Sequence, residues 1–247
     1  MDKSVKETEK VTSFYLKPKD GKEIATYKPG QYLTIKAKIP GEQYTHVRHC
    51  NISDAPNSEY YHISVKRVDS NEDGPPGIVS NYLHKESSKD VTLFFSAPAG
   101  DFVLKENDRS TVFISGGNGI TPIMSMLNSL IKNKDHRQVT FVHAAANSKI
   151  QAFKDHIEEI ATQNSNVDKV ICYSMPSQQD QFEHNLEKEG FIDTDLLKSI
   201  PYLKDTEIYF CSSIPFMQAI NHILEQLSIP AEQINYEVFN PIAILDE

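Results

Sequence analysis

The chain has 247 residues, 39% hydrophobic and 24% charged, and its 25 Lys and Arg against 34 Asp and Glu give a formal charge of −9. That balance excludes collagen-like, coiled-coil and disordered classes. No run approaches the ~18 apolar residues of a membrane span, and no basic stripe invites nucleic acid.

The first ten residues, MDKSVKETEK, lack the apolar core of a secretory signal. Cys50, Cys172 and Cys211 are too few for a disulfide framework, so a cytoplasmic setting is expected. The first half of the chain reads as short strands: Val11 to Leu16, Tyr32 to Ile39, Tyr61 to Val68 and Val91 to Ala97. Pro29-Gly30, Pro40-Gly41, Gly74-Pro75-Pro76-Gly77 and Ala97-Pro98-Ala99-Gly100 separate them. Alternating strands between turn signals predict an antiparallel barrel or sandwich, with one short helix over Ile78 to His84.

The rhythm then changes. Continuous apolar runs at Thr111 to Ser115, Val139 to His143, Val170 to Tyr173, Ile208 to Cys211 and Ile234 to Phe239 predict five buried strands. Helical patterns at Thr121 to Lys132, Ile150 to Ile160 and Pro215 to Leu227 fall between them. Apolar strands alternating with helices mean a parallel sheet with crossovers. Residues 1–107 carry 15 basic and 15 acidic side chains, and residues 108–247 carry 10 and 19. The expected domains are therefore 1–107 and 108–247. Glu158-Glu159 and the stretch from Glu183 to Glu189 read as solvated helix faces. The nine histidines show none of the H-x-x-x-H or H-E-x-x-H spacings of a metal site.

Ser115-Gly116-Gly117-Asn118-Gly119-Ile120-Thr121-Pro122 joins the first parallel strand to its helix. Residues without Cβ let a backbone approach a pyrophosphate, and the helix N-terminus offers free N–H groups. Thr121 is expected as N-cap, with Pro122 at the first helical position. The G-x-G-x-x-G fingerprint is not met, so a nucleotide turn and a plain tight turn both remain open. The strand ends at His143 to Asn147 and Cys211 to Met217 combine small residues with loops or helix starts.

Taken together, Tyr27-Lys28-Pro29-Gly30-Gln31-Tyr32-Leu33, Arg48-His49-Cys50-Asn51-Ile52-Ser53-Asp54-Ala55-Pro56, Gly77-Ile78-Val79-Ser80-Asn81-Tyr82-Leu83-His84, Ala97-Pro98-Ala99-Gly100-Asp101-Phe102, Ile114 to Pro122 and Tyr236-Glu237-Val238-Phe239-Asn240-Pro241 resemble the reductase module of flavohaemoglobins, within the ferredoxin–NADP reductase superfamily. The segments follow the family's order and span nearly the whole chain. The resemblance implies an FAD-binding Greek-key β-barrel followed by an NAD(P)-binding α/β domain. It also implies an FAD-dependent NAD(P)H oxidoreductase in which hydride passes from nicotinamide to flavin. Electrons would go on to a haem globin, as in nitric oxide detoxification, to a ferredoxin or to a diaphorase acceptor.

The same resemblance assigns residues. Tyr32, Arg48, His49, Cys50 and Asn51 would lie at the flavin, with Arg48 on the FAD pyrophosphate; without the family, Arg48 reads first as a surface ion pair. Gly77, Val79 and Ser80 would meet the same pyrophosphate at a helix N-terminus. Gly116, Gly117, Asn118, Gly119, Ile120 and Thr121 would hold the nicotinamide dinucleotide. Glu237, Val238, Phe239, Asn240 and Pro241 would close over the flavin ring, Glu237 tuning its electronics. Cys211 would shape the hydride pocket or act as a small buried hydrophobe.

The chain also departs from the family. Arg48-His49-Cys50-Asn51 replaces Arg-x-Tyr-Ser, so an aromatic stack on the flavin is lost and the Asn51 amide would donate where a serine does. Cys211-Ser212-Ser213 replaces Cys-Gly-Pro, and Asn240 stands where the family has glycine. The family's first strand would begin before Met1, and the globin that precedes it in flavohaemoglobins is not in this sequence. These departures motivate a second reading, a degenerate reductase fragment with weak or no FAD binding. Arg137 is the last arginine and the second half is acidic, so NADH is favoured over NADPH, whose 2′-phosphate usually meets arginine.

Overall fold

A computed structural model describes residues 1–70, 74–86 and 91–239. They form two compact units. One holds Met1–Leu104 together with Met124–Lys132, and the other holds Lys105–Ile123 and Asn133–Glu247. Among the described residues no helix is long and apolar enough to cross a membrane.

The first unit contains β1 (Lys3–Lys6), β2 (Val11–Leu16), β3 (Tyr32–Ala37), β4 (His46–Asn51), β5 (Tyr61–Lys66), α1 (Ile78–Lys85) and β6 (Phe94–Phe95). Two three-stranded sheets, β1-β2-β5 and β4-β3-β6, are antiparallel throughout. A bridge between Ile52 and Ile63 joins them. Period-two alternation sends Leu33, Ile35 and Ala37 of β3 inward, where they meet Phe14, Leu16, Ile52 and Ile63. Val79 and Leu83, four apart on α1, close that core.

The strand expected over Val91 to Ala97 shrinks to Phe94–Phe95. The Ser96 hydroxyl accepts the Thr34 N–H (3.1 Å) and donates to the Ala97 carbonyl (2.7 Å), substituting side-chain for ladder bonds just before Pro98.

The second unit contains β7 (Thr111–Gly116), α2 (Ile120–Lys132, whose later part belongs to the first unit), β8 (Val139–Ala145), α3 (Lys154–Gln163), β9 (Val167–Tyr173), α4 (Gln178–Phe182), β10 (Lys188–Glu189), α5 (Thr194–Ser199), β11 (Glu207–Ser212), α6 (Ile214–Gln226) and β12 (Ile234–Val238). The sheet is parallel, in the order β10-β9-β8-β7-β11-β12. It has six strands where five were expected, the addition being the two-residue edge strand β10. Every residue of β7 and β11 is buried, as a central parallel strand covered on both faces requires. Val112, Ile114 and Phe210 meet Met217, Ile220 and Leu224 of α6 in one core.

The helix expected from Ile150 begins instead at Lys154, because Phe153 sits in the left-handed region (φ 60°) and breaks any helix running through it. The stretch from Glu183 to Glu189 is not a solvated helix face. It contains β10, and the Glu187 carboxylate accepts from Lys169 Nζ (2.6 Å) and the Ile171 N–H (2.7 Å).

At the start of β11 a buried carboxylate, Glu207, gathers the segment that leads into the unit. It accepts from Lys105 Nζ (2.8 Å), Arg109 (3.4 Å), Asn107 (3.4 Å) and Asn235 (3.2 Å). Glu207→Ala is expected to destabilise the protein by about 2 kcal/mol, below the cost of breaking a fully buried pair because both cations keep access to water. Urea midpoints measure this. A loss under about 0.5 kcal/mol would mean that water replaces the carboxylate without cost.

Candidate functional site

In the first unit, the β3–β4 register sets Tyr32 opposite Asn51, Leu33 opposite Cys50 and Thr34 opposite His49. Tyr32 and His49 meet edge to face at 4.7 Å, and Thr34 Oγ1 lies 3.1 Å from His49 Nδ1. Four of the five residues expected at the flavin, Arg48 to Asn51, thus follow one another on β4, and the fifth, Tyr32, pairs with them.

Asn51 is buried, and its amide donates to the Gly30 carbonyl (3.3 Å). Cys50 is half-buried against the barrel core; burial pushes its thiol up to about 12, against the pull of Arg48. It stays a thiol at neutral pH and is a poor redox nucleophile. Arg48 is exposed and donates to the Val47 carbonyl (2.7 Å), and among the described residues no carboxylate engages it. A guanidinium in that state fits a phosphate.

Gly77 precedes α1, whose first turn carries no acidic side chain and no side-chain cap. The Ser80 hydroxyl accepts the Val68 N–H (3.2 Å) and donates to the Gly77 carbonyl (3.1 Å), so it fastens loop to helix. Val79 is buried in the core and leaves only its backbone for a ligand.

Asp54, just after β4, was not expected to hold the site together. Its carboxylate accepts from the Ala55 N–H (2.7 Å), the Tyr60 hydroxyl (3.0 Å) and Asn128 (3.2 Å), and its carbonyl accepts the Ser125 hydroxyl (2.7 Å). Lys132 donates to the Pro56 carbonyl (2.6 Å). The segment after β4 is thereby fixed to Met124–Lys132 within the same unit. Asp between a strand and Ala-Pro was the available signal.

In the second unit the chain runs from β7 outward through β8, β9 and β10, then returns to the other side of β7 with β11 and β12. The order reverses between β7 and β11, and open α/β sheets bind ligands beyond the strand ends at such a point. Gly116 ends β7, and Gly117–Gly119 form a 3-10 turn that runs into α2 at Ile120. Gly119 packs against β11 so closely that a Cβ there would lie 1.9 Å from the Cys211 carbonyl oxygen. Gly117 has φ +49° with open space around it, a position that glycine adopts without strain. The Ser212 hydroxyl donates to the Gly116 carbonyl (2.8 Å) and stitches the two strand ends together.

Thr121 is not the expected N-cap. The 3-10 turn carries the helix start back to Ile120, and the Thr121 hydroxyl donates to the Asn118 carbonyl (3.2 Å). Ile120 is buried.

Cys211 pairs with Ser115 on one side and Glu237 on the other, so these three side chains share one level at the switch point. Burial pushes the Cys211 thiol well up, and the charge of Glu237 adds to it. Val238 is half-buried at the end of β12, and Phe239 is exposed. Asn240 and Pro241 lie outside the described residues. Beside Ser115, the buried His143 places Nδ1 2.8 Å from the Ser115 hydroxyl, and burial pulls its imidazole down to about 4. The Ser115–His143 pair was not anticipated; two polar residues facing each other at the ends of apolar strands are the trace that it leaves in the sequence.

Residues 113–222 match the oxidoreductase NAD-binding domain family. The chain is 47% identical over 246 residues to a flavohemoprotein of Halalkalibacterium halodurans, covering 99% of this chain and 60% of that protein. It thus spans about 60% of the length of the curated relatives it matches. Among solved structures, the flavohem-like FAD/NAD-binding domain of nitric oxide dioxygenase from Vibrio cholerae superposes with a TM-score of 0.86 at 33% identity, covering 97% of this chain and 96% of that one. The cytochrome b5 reductase domain of Ulva prolifera nitrate reductase, at 18% identity, TM-score 0.81 and coverage of 95% and 94%, shares the fold. With two antiparallel sheets, a parallel sheet and a glycine turn in place among the described residues, the chain belongs to the flavohaemoglobin family, of which it spans the reductase part.

Proposed function

We propose that this reductase takes hydride from NADH and passes electrons to a haem globin-type acceptor, with residues 1–107 serving the flavin and residues 108–247 the nicotinamide dinucleotide. The observation that carries the reading is the glycine turn threaded against β11 at the switch of strand order, where a pyrophosphate can meet bare backbone. The names of the relatives, flavohemoprotein and nitric oxide dioxygenase, support a haem acceptor. A ferredoxin and a diaphorase acceptor are the other outcomes, and a cytoplasmic setting belongs to the reading.

The residues fit the two groups. The guanidinium of Arg48, which no carboxylate engages among the described residues, and the first turn of α1, which has no side-chain cap, suit the FAD pyrophosphate. Tyr32 and His49 offer aromatic contact, and Asn51 steadies the turn at Gly30. Gly116 to Thr121 would hold the dinucleotide, while Cys211 stays an uncharged thiol that fills the wall of the pocket. Glu237, one strand over from Cys211, would place negative charge beside the reacting rings. Flavin supplies the chemistry that splits a hydride into single electrons; the protein binds, orients and excludes water.

NADH is favoured because no arginine lies in the strand-end loops after Arg137. Anaerobic mixing of FAD-loaded protein with NADH is expected to bleach the flavin band, with NADPH slower. In Arg48→Ala, FAD affinity falls roughly tenfold or more. If neither nicotinamide bleaches the band, the second reading, a fragment that no longer uses FAD, replaces this one.

A further inference from the structure

A cleft of about 540 Å³ opens in the first unit, its lining including Lys6, Glu9, Thr12, Arg67, His84 and Lys85. None of these residues belongs to the proposed FAD or NADH contacts. Three cations reach it from three elements: Lys6 from β1, Arg67 just after β5 and Lys85 from the last turn of α1. Among the described residues neither Lys6 nor Lys85 has a carboxylate partner, although the chain as a whole carries −9. Glu9 is the one carboxylate on the lining. Asp69 nearby is held by Lys10 (3.1 Å) and Arg67 (2.9 Å), which leaves the other guanidinium nitrogens of Arg67 outside that bond.

The floor is polar and set. His84 Nε2 donates to the Val65 carbonyl (2.8 Å), which leaves Nδ1 to accept from the buried Thr12 hydroxyl (3.3 Å). Burial lowers the imidazole, and the charges of Arg67 and Lys6 press the same way, against the Val65 carbonyl and the Asp69 carboxylate, which raise it. Converging cations over a hydrogen-bonding floor match an anion with several oxygens.

We propose that this cleft binds a small phosphate-bearing anion, of the size of pyrophosphate or a nucleoside monophosphate, independently of the nicotinamide site. Lys6 and Lys85 supply charge from β1 and α1, and Arg67 supplies a planar donor pair.

Calorimetry on the full, FAD-loaded chain with pyrophosphate, and separately with AMP, tests this. Saturable binding is expected, weakened roughly tenfold or more in the exposed-site double variant Lys6→Glu/Lys85→Glu. The double variant keeps the wild-type rate of ferricyanide reduction by NADH. AMP tighter than pyrophosphate identifies a nucleotide site, and equal binding a phosphate site. In NMR the His84 ring signal titrates at higher pH with the anion bound, because an added negative charge favours imidazolium. Absence of saturable heat, equal binding by the double variant, or competition with NADH would each overturn the proposal; the last would locate the anion at the Gly116 to Gly119 turn. Failure here leaves flavin bleaching by NADH untouched.

Discussion

Gly119→Ala is expected to raise the KM for NADH by about two orders of magnitude while FAD binding stays within about twofold. The added Cβ would lie 1.9 Å from the Cys211 carbonyl oxygen, 2.4 Å from the Cys211 carbonyl carbon and 2.7 Å from Ser212 Cα. All three are backbone atoms of a fully buried central strand, so no side chain can rotate aside. The turn must retreat from β11 by more than an ångström, carrying the N–H groups of the α2 start with it. Misplacement on that scale costs on the order of a hundredfold where groups must be held in register. The comparison is Gly117→Ala, which meets open space and pays only for its positive φ, on the order of 1 kcal/mol. Stopped-flow reduction of the two variants separates a collision from a backbone preference. Equal effects from both would mean that the close approach of turn and strand does not govern dinucleotide binding.

The second large effect is a pH dependence. In the unfolded chain an imidazole titrates near 6.5. In the folded protein His143 is buried, hydrogen-bonded to Ser115 and lowered to about 4. Between these values the unfolded chain binds a proton that the folded chain refuses, so stability falls as the pH drops from about 6.5 towards 4 and is unaffected above that window. The loss attributable to His143 reaches about 3 kcal/mol by pH 4. His143→Asn, whose amide can still meet the Ser115 hydroxyl, is expected to remove that slope while changing stability at pH 7 far less. Urea unfolding of both proteins at pH 7 and pH 4 checks it, and parallel acid sensitivity in the two would rule His143 out as the cause.

Much of this architecture was legible in the residues, and the exceptions have physical reasons. Val11 to Leu16 forms a strand over the expected span because β-branched and aromatic residues meet a Pro-Lys-Asp-Gly stop. The five apolar runs of the second half became β7, β8, β9, β11 and β12, since strands covered on both faces carry no polar register to misread. β1 and β4 were not read as strands because polar residues dominate them, and α4, α5 and β10 escaped because they are too short for a helical period or an apolar run to emerge. Capping chemistry could have marked α4, where Ser177 and Asp180 exchange hydrogen bonds in a capping box, and α5, where Asp193 accepts the Leu196 N–H. At the site, residue types marked the glycine turn, and the family resemblance picked out the β4 segment. Sequence could not separate backbone from side-chain duty, which is why Val79 and Ile120 turn out to be core residues and Thr121 a brace for Asn118. Those distinctions depend on which way a Cβ points, and that is fixed only when the turn closes.

The Asp54 network has a consequence for anyone recombining this family. Because Ser125, Asn128 and Lys132 satisfy Asp54 and Pro56 from a stretch that the chain reaches only after β7, the barrel is assembled from two separated lengths of polypeptide. A chimaera spliced once at residue 107 would inherit the acceptors from one parent and the donors from the other, so transplanting the first unit intact requires exchanging Met124–Lys132 as a second cassette.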